Sequence, residues 1–349
     1  MKRVLMLGPA PASRGGMASV ISTLLAHGYG DDGCRFIATQ VDGSAMRKAA
    51  RAALALAQVL ALLAARRVAL LHVHVASGTS FWRKAAFIGA ARLFGCPVLF
   101  HLHGGEFPAF IEQRLSGWRQ RLALALIGGS KAAFALSAPA AAWLSERCRV
   151  ASVEVFPNPV PNCSALPLRR GHDVLFLGRL EQRKGVFDLV RAFARASADL
   201  PGTRLVLAGE GDSAAVRALA ARLGIGHRVV LPGWVGPMER AVLLAGAGVL
   251  VLPSYYEQMP MVLLEAMACG IPVIATRVGA IPEMLANGKC GLLLPVKDTE
   301  QLAASILRMM HDNILADTLS ACGSERVKSI YAVDRVIERL KRRYKELAA

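Results

Sequence analysis

The sequence predicts an α/β protein of two doubly wound parallel-sheet domains facing each other with a cleft between them. Three observations predict it. Short apolar runs alternate with helical stretches along the whole chain, the pattern of strands buried on both faces and joined by crossover helices. The series restarts after a break at 156–173, where Pro157, Pro159, Pro161 and Pro167 interrupt any regular element. At 349 residues the chain exceeds one typical domain and leaves each half enough for its own core.

Taken in order, "RVLMLG" imitates a secretory signal with its basic start and the Ala-Pro-Ala that follows. The apolar stretch is too short and breaks at Gly8 and Pro9, so it reads as a first strand running into a loop. Residues 52–65 are apolar and flanked by Arg47, Lys48, Arg51, Arg66 and Arg67. This run falls short of the roughly 20 residues that span a bilayer. It reads as a core helix with basic ends or as a helix lying in a membrane interface. The strands "ALLHVHV", "PVLFHLHG" and "AAFALS" complete a first domain at 1–160, followed by a linker at 161–172. "DVLFLG", "RLVLAG", "VVLPG", "GVLVLPS" and "PVIAT" build a second domain at 173–330. The tail, 331–349, is a polar-faced helix that caps the fold, with packing back on the first domain as one option. Its Arg339, Lys341, Arg342, Arg343 and Lys345 read as a solvated face.

A composition of 54% hydrophobic and 19% charged residues excludes a disordered chain. The net charge of +17 is uneven: residues 1–150 hold 18 Lys/Arg against 6 Asp/Glu. An anionic partner for the first half follows. No Arg-Gly-Gly tract, aromatic nucleic-acid motif or zinc-finger spacing supports nucleic acid, which leaves an anionic membrane surface. The seven cysteines are scattered, odd in number and nowhere spaced Cys-x-x-Cys, and they read as reduced thiols of a cytoplasmic protein without chemistry.

The chemistry concentrates in "SYYEQMPMVLLEAMACGIPVIAT", residues 254–276. Pro260 suits the first turn of a helix and Gly270 the position past its end, which predicts a helix over 260–269. Its free N–H groups and dipole, at the end lined by Gln258, Met259, Pro260 and Met261, make a site for a phosphate. Glu257 precedes the helix, and Glu265 lies about a turn and a half inside it. A carboxylate is costly to bury alone. Two of them bind phosphate poorly but accept hydrogen bonds from hydroxyls well. The arrangement suits a sugar nucleotide, with the diphosphate on the helix end and one glutamate for each sugar ring. The alternative is a structural Glu265 paired with an arginine or a backbone N–H.

This stretch resembles the Glu, seven residues, Glu signature of the family-4 retaining glycosyltransferases with the GT-B fold. The likeness continues through "FLGRLEQRKGVFDLVRAF", "LVLAGEGD", "VVLPGWV" and "VGAIPEMLANGKCGLLLP", and through "RGGM" and "HLHGGEF" in the first half. It implies that Glu257 contacts the transferred sugar and Glu265 the ribose hydroxyls. Arg179 and Lys184 would neutralise the diphosphate, with Gly178, Gly209 and Glu210 beside it. Pro232, Gly233 and Trp234 would meet a uracil or guanine base largely through backbone. Gly15 and Gly16 match the family's glycine loop, where backbone N–H groups approach phosphates. His103 matches the histidine that hydrogen-bonds the donor sugar near its reacting carbon. The family works without metal or cofactor, so His72, His74 and His101 read as packed or supporting residues rather than ligands.

No Asp-x-Asp motif occurs, and both glutamates would approach the donor from one wall, unlike the flanking carboxylates of a retaining glycosidase. The resemblance implies front-face attack, with a phosphate oxygen taking the acceptor's proton. "HVHVASGTSFWRKAAF" and "FHLHGGEFPAF" resemble the subset that builds bacterial exopolysaccharide, capsule or lipopolysaccharide. That subset implies a saccharide on a polyprenyl diphosphate as acceptor, at the inner face of the cytoplasmic membrane. Ser80, Arg83 and Lys84 are the expected contacts to its diphosphate; the plainer reading is a helix start with two solvated cations. Competing functions are a sugar-nucleotide epimerase, a phosphorylase, or a non-catalytic basic protein binding membrane or nucleic acid. The phosphorylase lacks a recognisable pyridoxal lysine, and the last leaves Glu257, Glu265, Arg179 and Lys184 without purpose.

Overall fold

The computed structural model describes residues 3–30, 34–161, 163 and 171–348. The chain divides into two compact units, 1–159 with 333–349, and 160–332. Most of the linker expected at 161–172 lies outside the described residues.

The first unit alternates β1 (Arg3–Pro9), α1 (Gly16–Ala26), β2 (Cys34–Gln40), α2 (Ala45–Ala64), β3 (Val68–Val75), α3 (Thr79–Leu93), β4 (Val98–Leu102), α4 (Phe107–Gln113), α5 (Gly117–Gly128), β5 (Ala132–Ala135), α6 (Ala138–Glu146) and β6 (Val153–Val155). Its strands form a parallel sheet in the order β2-β1-β3-β4-β5-β6. The crossovers reverse direction between β1 and β3, and the loops at the carboxyl ends of those strands border the switch point where ligands bind in open α/β sheets. Every residue of β4 and β5 is buried, which requires cover on both faces. Part of that cover is the cluster of Val59 and Leu63 from α2, Phe81 and Phe87 from α3, and Phe107 and Ile111 from α4.

The apolar run at 52–65 sits inside α2, whose start is capped by the Ser44 hydroxyl accepting from the Arg47 N–H at 3.3 Å. Only Ala55, Val59 and Leu63 of this helix are buried, and Leu54 and Leu60 stay exposed. It therefore covers the sheet along one stripe rather than filling the core. Among the described residues no helix is long and apolar enough to cross a membrane.

The second unit contains β7 (Asp173–Leu177), α7 (Val186–Ala196), β8 (Leu205–Ala208), α8 (Ser213–Arg222), β9 (Val229–Gly233), α9 (Pro237–Gly246), β10 (Ala247–Leu252), α10 (Met261–Ala268), β11 (Val273–Thr276), α11 (Ile281–Met284), β12 (Leu292–Leu294), α12 (Thr299–His311) and α13 (Asn313–Arg326). The parallel order is β12-β11-β10-β7-β8-β9, with the switch point between β7 and β10. The helix expected over 260–269 spans Met261–Ala268. Pro260 is its N-cap in extended conformation rather than its first helical residue, and Gly270 follows with φ +66°.

The final helix, α14 (Val333–Ala348), belongs to the first unit. Tyr344 Oη lies 2.6 Å from His72 Nδ1, and Arg339 Nε donates to Glu154 Oε1 at 2.8 Å. Arg343 Nε pairs with the same carboxylate at 2.9 Å. The basic face expected to be solvated is thus partly engaged, because β6 presents Glu154 to it.

Candidate active site

At the switch point of the second unit two loops are stitched together. The 178–185 loop follows β7 and the 253–260 loop follows β10. The Tyr255 N–H donates to the Arg183 carbonyl at 2.9 Å. Gly185 sits at φ +70° with its α-carbon against Pro253, where a β-carbon would lie 2.0 Å from the Pro253 oxygen. This close approach brings Lys184 Nζ to 2.6 Å from Glu257 Oε1, and both side chains are largely buried. Ser254 Oγ donates to the same oxygen at 2.8 Å. Gly279, at φ +56°, packs under the loop, and a β-carbon there would lie 2.1 Å from the Glu257 carbonyl oxygen. The Ala280 N–H donates to the Gln258 carbonyl at 2.7 Å.

Arg179 is not part of that pair. Its side chain is 71% exposed and lies 3.8 Å from Glu181, which also holds Arg183 at 3.1 Å. It stays in the loop after β7, beside Glu181.

Glu265 is buried within α10, and its Oε2 lies 3.3 Å from Arg240 Nε of α9. Burial pushes its carboxyl above the usual range, and the Arg240 charge works against that shift. Among the described residues none donates a hydrogen bond to Oε2. Gln258, also buried, has neither amide atom hydrogen-bonded. Met259 and Met261 are buried beside it, and the α10 amino end carries no side-chain cap. A buried carboxylate oxygen, a buried amide and an uncapped helix start are groups that bind a polar ligand.

The remaining residues that the sequence assigns to a donor gather at the ends of β7, β8 and β9. The Gly178 N–H donates to Ala208, the Gly209 N–H to the Gly233 carbonyl at 2.7 Å, and the Leu180 N–H to the Glu210 carbonyl at 2.7 Å. Pro232 and Gly233 close β9, and Trp234 follows, half exposed.

In the first unit Gly15 is the N-cap of α1 and Gly16 its first residue, directly after the β1 loop. His103 closes β4, and His74 Nδ1 lies 2.7 Å from its Nε2. His72 Nε2 lies 3.1 Å from His101 Nδ1, so the four imidazoles form two hydrogen-bonded pairs on one face of the sheet. Burial, then the neighbouring imidazoles, holds His72, His74 and His101 well below the ordinary histidine value; burial pushes His103 down to about 3. All four are neutral. His72, His74 and His101 each place a ring nitrogen within 4.8 Å of the others.

Lys84 is not a solvated cation. Only 1% of it is exposed, and burial, then the charge of Arg83, pushes its ammonium down to about 7. Arg83 hydrogen-bonds Gln40 at the end of β2, and its Nε is buried without a partner. Ser80 lies half-buried in the first turn of α3, and the Gly78 N-cap leaves that helix start without a side-chain cap.

Sequence reasoning missed Arg240 and Ser254 as site residues. Ser254 stands in the quoted motif three positions before Glu257; Arg240 carries no local signal. It also took the cysteines as reduced, whereas Cys163 is bonded to Cys269 and Cys290 to Cys322. The correction has a plain cause: partners 106 and 32 residues apart leave no spacing pattern to read.

Two family models match the chain, Glycosyl transferases group 1 over residues 169–326 and Glycosyltransferase Family 4 over residues 14–162. A phosphatidyl-myo-inositol mannosyltransferase of Mycolicibacterium smegmatis is 35% identical over 202 residues, 55% of this chain and 52% of that protein. The lipopolysaccharide core biosynthesis glycosyltransferase LpsE of Rhizobium meliloti is 35% identical over 153 residues, 44% of this chain and 43% of that protein. The chain spans about half or less of the length of the curated relatives it matches. Among solved structures, Anabaena Alr3699/HepE in complex with UDP-glucose shares the fold at a TM-score of 0.77 and 19% identity, covering 99% of this chain and 100% of that one. With both units matched by family models and both sheets wound as the sequence predicts, the chain belongs to the family-4 glycosyltransferases of the GT-B fold.

Proposed function

We propose that the protein is a retaining, metal-independent hexosyltransferase using a UDP- or GDP-linked sugar. Its acceptor is a saccharide carried on a polyprenyl diphosphate, in the synthesis of a surface polysaccharide. The observation that carries the reading is the Lys184–Glu257 pair beside the uncapped start of α10, at the second unit's switch point. A cation, free N–H groups and an acid that accepts from hydroxyls are what a sugar diphosphate needs.

In this reading the acceptor hydroxyl attacks the anomeric carbon on the face from which the diphosphate departs. The new carbon–oxygen bond forms as the bond to phosphate breaks, and a phosphate oxygen takes the hydroxyl proton. Lys184 and Arg179 stabilise the charge that builds on the leaving group, more in the transition state than before it. Glu257 orients the transferred hexose, Glu265 holds the ribose, and His103 hydrogen-bonds the sugar near the reacting carbon. The protein contributes position and charge rather than a strong base.

Ser80, Arg83 and Lys84 are assigned to the acceptor's diphosphate. A buried lysine gains from an arriving anion, since pairing favours the charge that burial disfavours. The relatives named for a phosphatidyl lipid and for lipopolysaccharide core support such an acceptor. Attachment to an anionic membrane at the inner face of the cytoplasmic membrane is supported by the first unit's surface. No Asp or Glu occurs from 43 to 105 or from 113 to 145, and Met46, Leu93, Phe94, Trp118 and Leu122 are exposed among the arginines.

The test is incubation with a panel of nucleotide sugars, reading release of nucleoside diphosphate and, by NMR, the anomeric configuration of the product. Release of nucleoside diphosphate from one donor, with retention, is expected. No release from any donor, even with polyprenyl-diphosphate saccharides supplied, overturns the reading. Cosedimentation with anionic vesicles at low salt tests the membrane; no binding there removes that part.

A further inference from the structure

We propose that Arg240 is a positioning residue for Glu265, fixing its carboxylate so that the site selects a nucleotide bearing an intact ribose diol. The inference rests on the donor reading above and adds to it a residue outside the motifs that carry the family likeness.

Arg240 projects from α9, a helix held lightly against the second unit. Leu244 is its one buried residue, while Met238 and Val242 stand exposed. Those two flank Arg240 at two positions on either side, on the opposite side of the helix, so Arg240 is the residue that turns inward. The helix start is fixed by Glu239, whose Oε2 accepts from the Gly236 N–H at 2.8 Å. That start lies three residues beyond Trp234, so a shift of the segment assigned to the base also moves Arg240.

The contact itself supplies field rather than a hydrogen bond. Nε stands 3.3 Å from Oε2, yet among the described residues none donates a hydrogen bond to that buried oxygen. Its lone pairs are therefore available to hydroxyl donors, and a carboxylate with two oxygens matches the two O–H groups of a vicinal diol. Burial of a carboxylate favours its protonated form, which is no longer an acceptor-only group. Arg240 opposes that protonation and holds the acid from one side, leaving the other side to the ligand.

The experiment measures dissociation constants of UDP and GDP and of their 2′,3′-dideoxy analogues for the full chain, Arg240→Gln and Arg240→Lys. Hydrogen bonds to a charged group are worth about tenfold to a hundredfold in affinity. The wild type should prefer the ribonucleotide by about tenfold or more. In Arg240→Gln that preference should fall below about threefold while the dideoxy affinity stays within about twofold, and Arg240→Lys should recover part of it. An unchanged preference in Arg240→Gln overturns the inference. So does equal weakening of both nucleotides, which marks Arg240 as a structural brace. A wild type that binds neither UDP nor GDP fails the donor reading itself.

Discussion

Lys184 donates a 2.6 Å hydrogen bond to Glu257 across the β7/β10 switch point, joining two residues 73 positions apart. The pair places a cation and an acid at the carboxyl ends of neighbouring strands, where the proposed function seats a sugar diphosphate. Under the proposed function, replacing either residue removes charge that acts on the departing phosphate or on the hexose. Lys184→Ala and Glu257→Ala should each lower turnover by about 10²- to 10³-fold. Both side chains are largely buried, so the partner left behind loses its counter-charge and the melting temperature should fall as well. Assay of nucleoside diphosphate release beside a melting curve checks this, and near-normal turnover in either variant contradicts the assignment.

His103 is neutral and linked to His74 at 2.7 Å, which fixes the ring at the end of β4. A group that acts near the reacting carbon contributes more to the transition state than to holding the nucleotide. His103→Ala should therefore lower kcat more than it raises the dissociation constant for the donor. Equal losses in both would assign it a structural role.

Gly279 has no room for a side chain. An alanine there adds the strain of φ +56° to a β-carbon only 2.1 Å from the Glu257 carbonyl oxygen. Gly279→Ala should cost about 2 kcal/mol or more and displace the Glu257 loop. Thermal unfolding and turnover together check it, and loss of activity without loss of stability would show the loop moving alone.

The four-histidine face makes stability depend on acidity. Folded, the imidazoles are neutral; unfolded, they bind protons below about pH 6.5. The unfolded chain thus holds more protons in acid, and stability is lost as the pH falls below 6.5, by up to about 1.4 kcal/mol per pH unit for each histidine. His101→Gln should flatten the dependence of melting temperature on pH between 7 and 5. Parallel curves for the variant and the wild type would contradict this.

The elements read from sequence were those with strong local signals. All nine apolar runs are strands; those inside the sheets are apolar throughout because both their faces are buried, while β9 lies at an edge with no residue buried. The strand β2 escaped, since Arg35, Thr39 and Gln40 interrupt its apolar run at the sheet edge. The three-residue strands β6 and β12 escaped because they are too short to show a period. At the site, Glu257, Glu265 and Lys184 were legible from motifs that keep fixed spacing. Arg240 was not, because an ion pair between two helices leaves no trace in either one. Lys84 was legible as a residue, but its burial follows from the packing of α3 on the sheet, which charge alone does not foretell.

The return of α14 to the first unit has a consequence for biosynthesis. A nascent chain emerging from the ribosome presents β1 to β6 long before Tyr344 and Arg339 exist, so the first sheet waits without its hydroxyl on His72 and its guanidinium on Glu154 until the second unit has been translated. The amino-terminal half therefore matures last, and a truncation or fusion at the carboxyl end disturbs it rather than the nearer half.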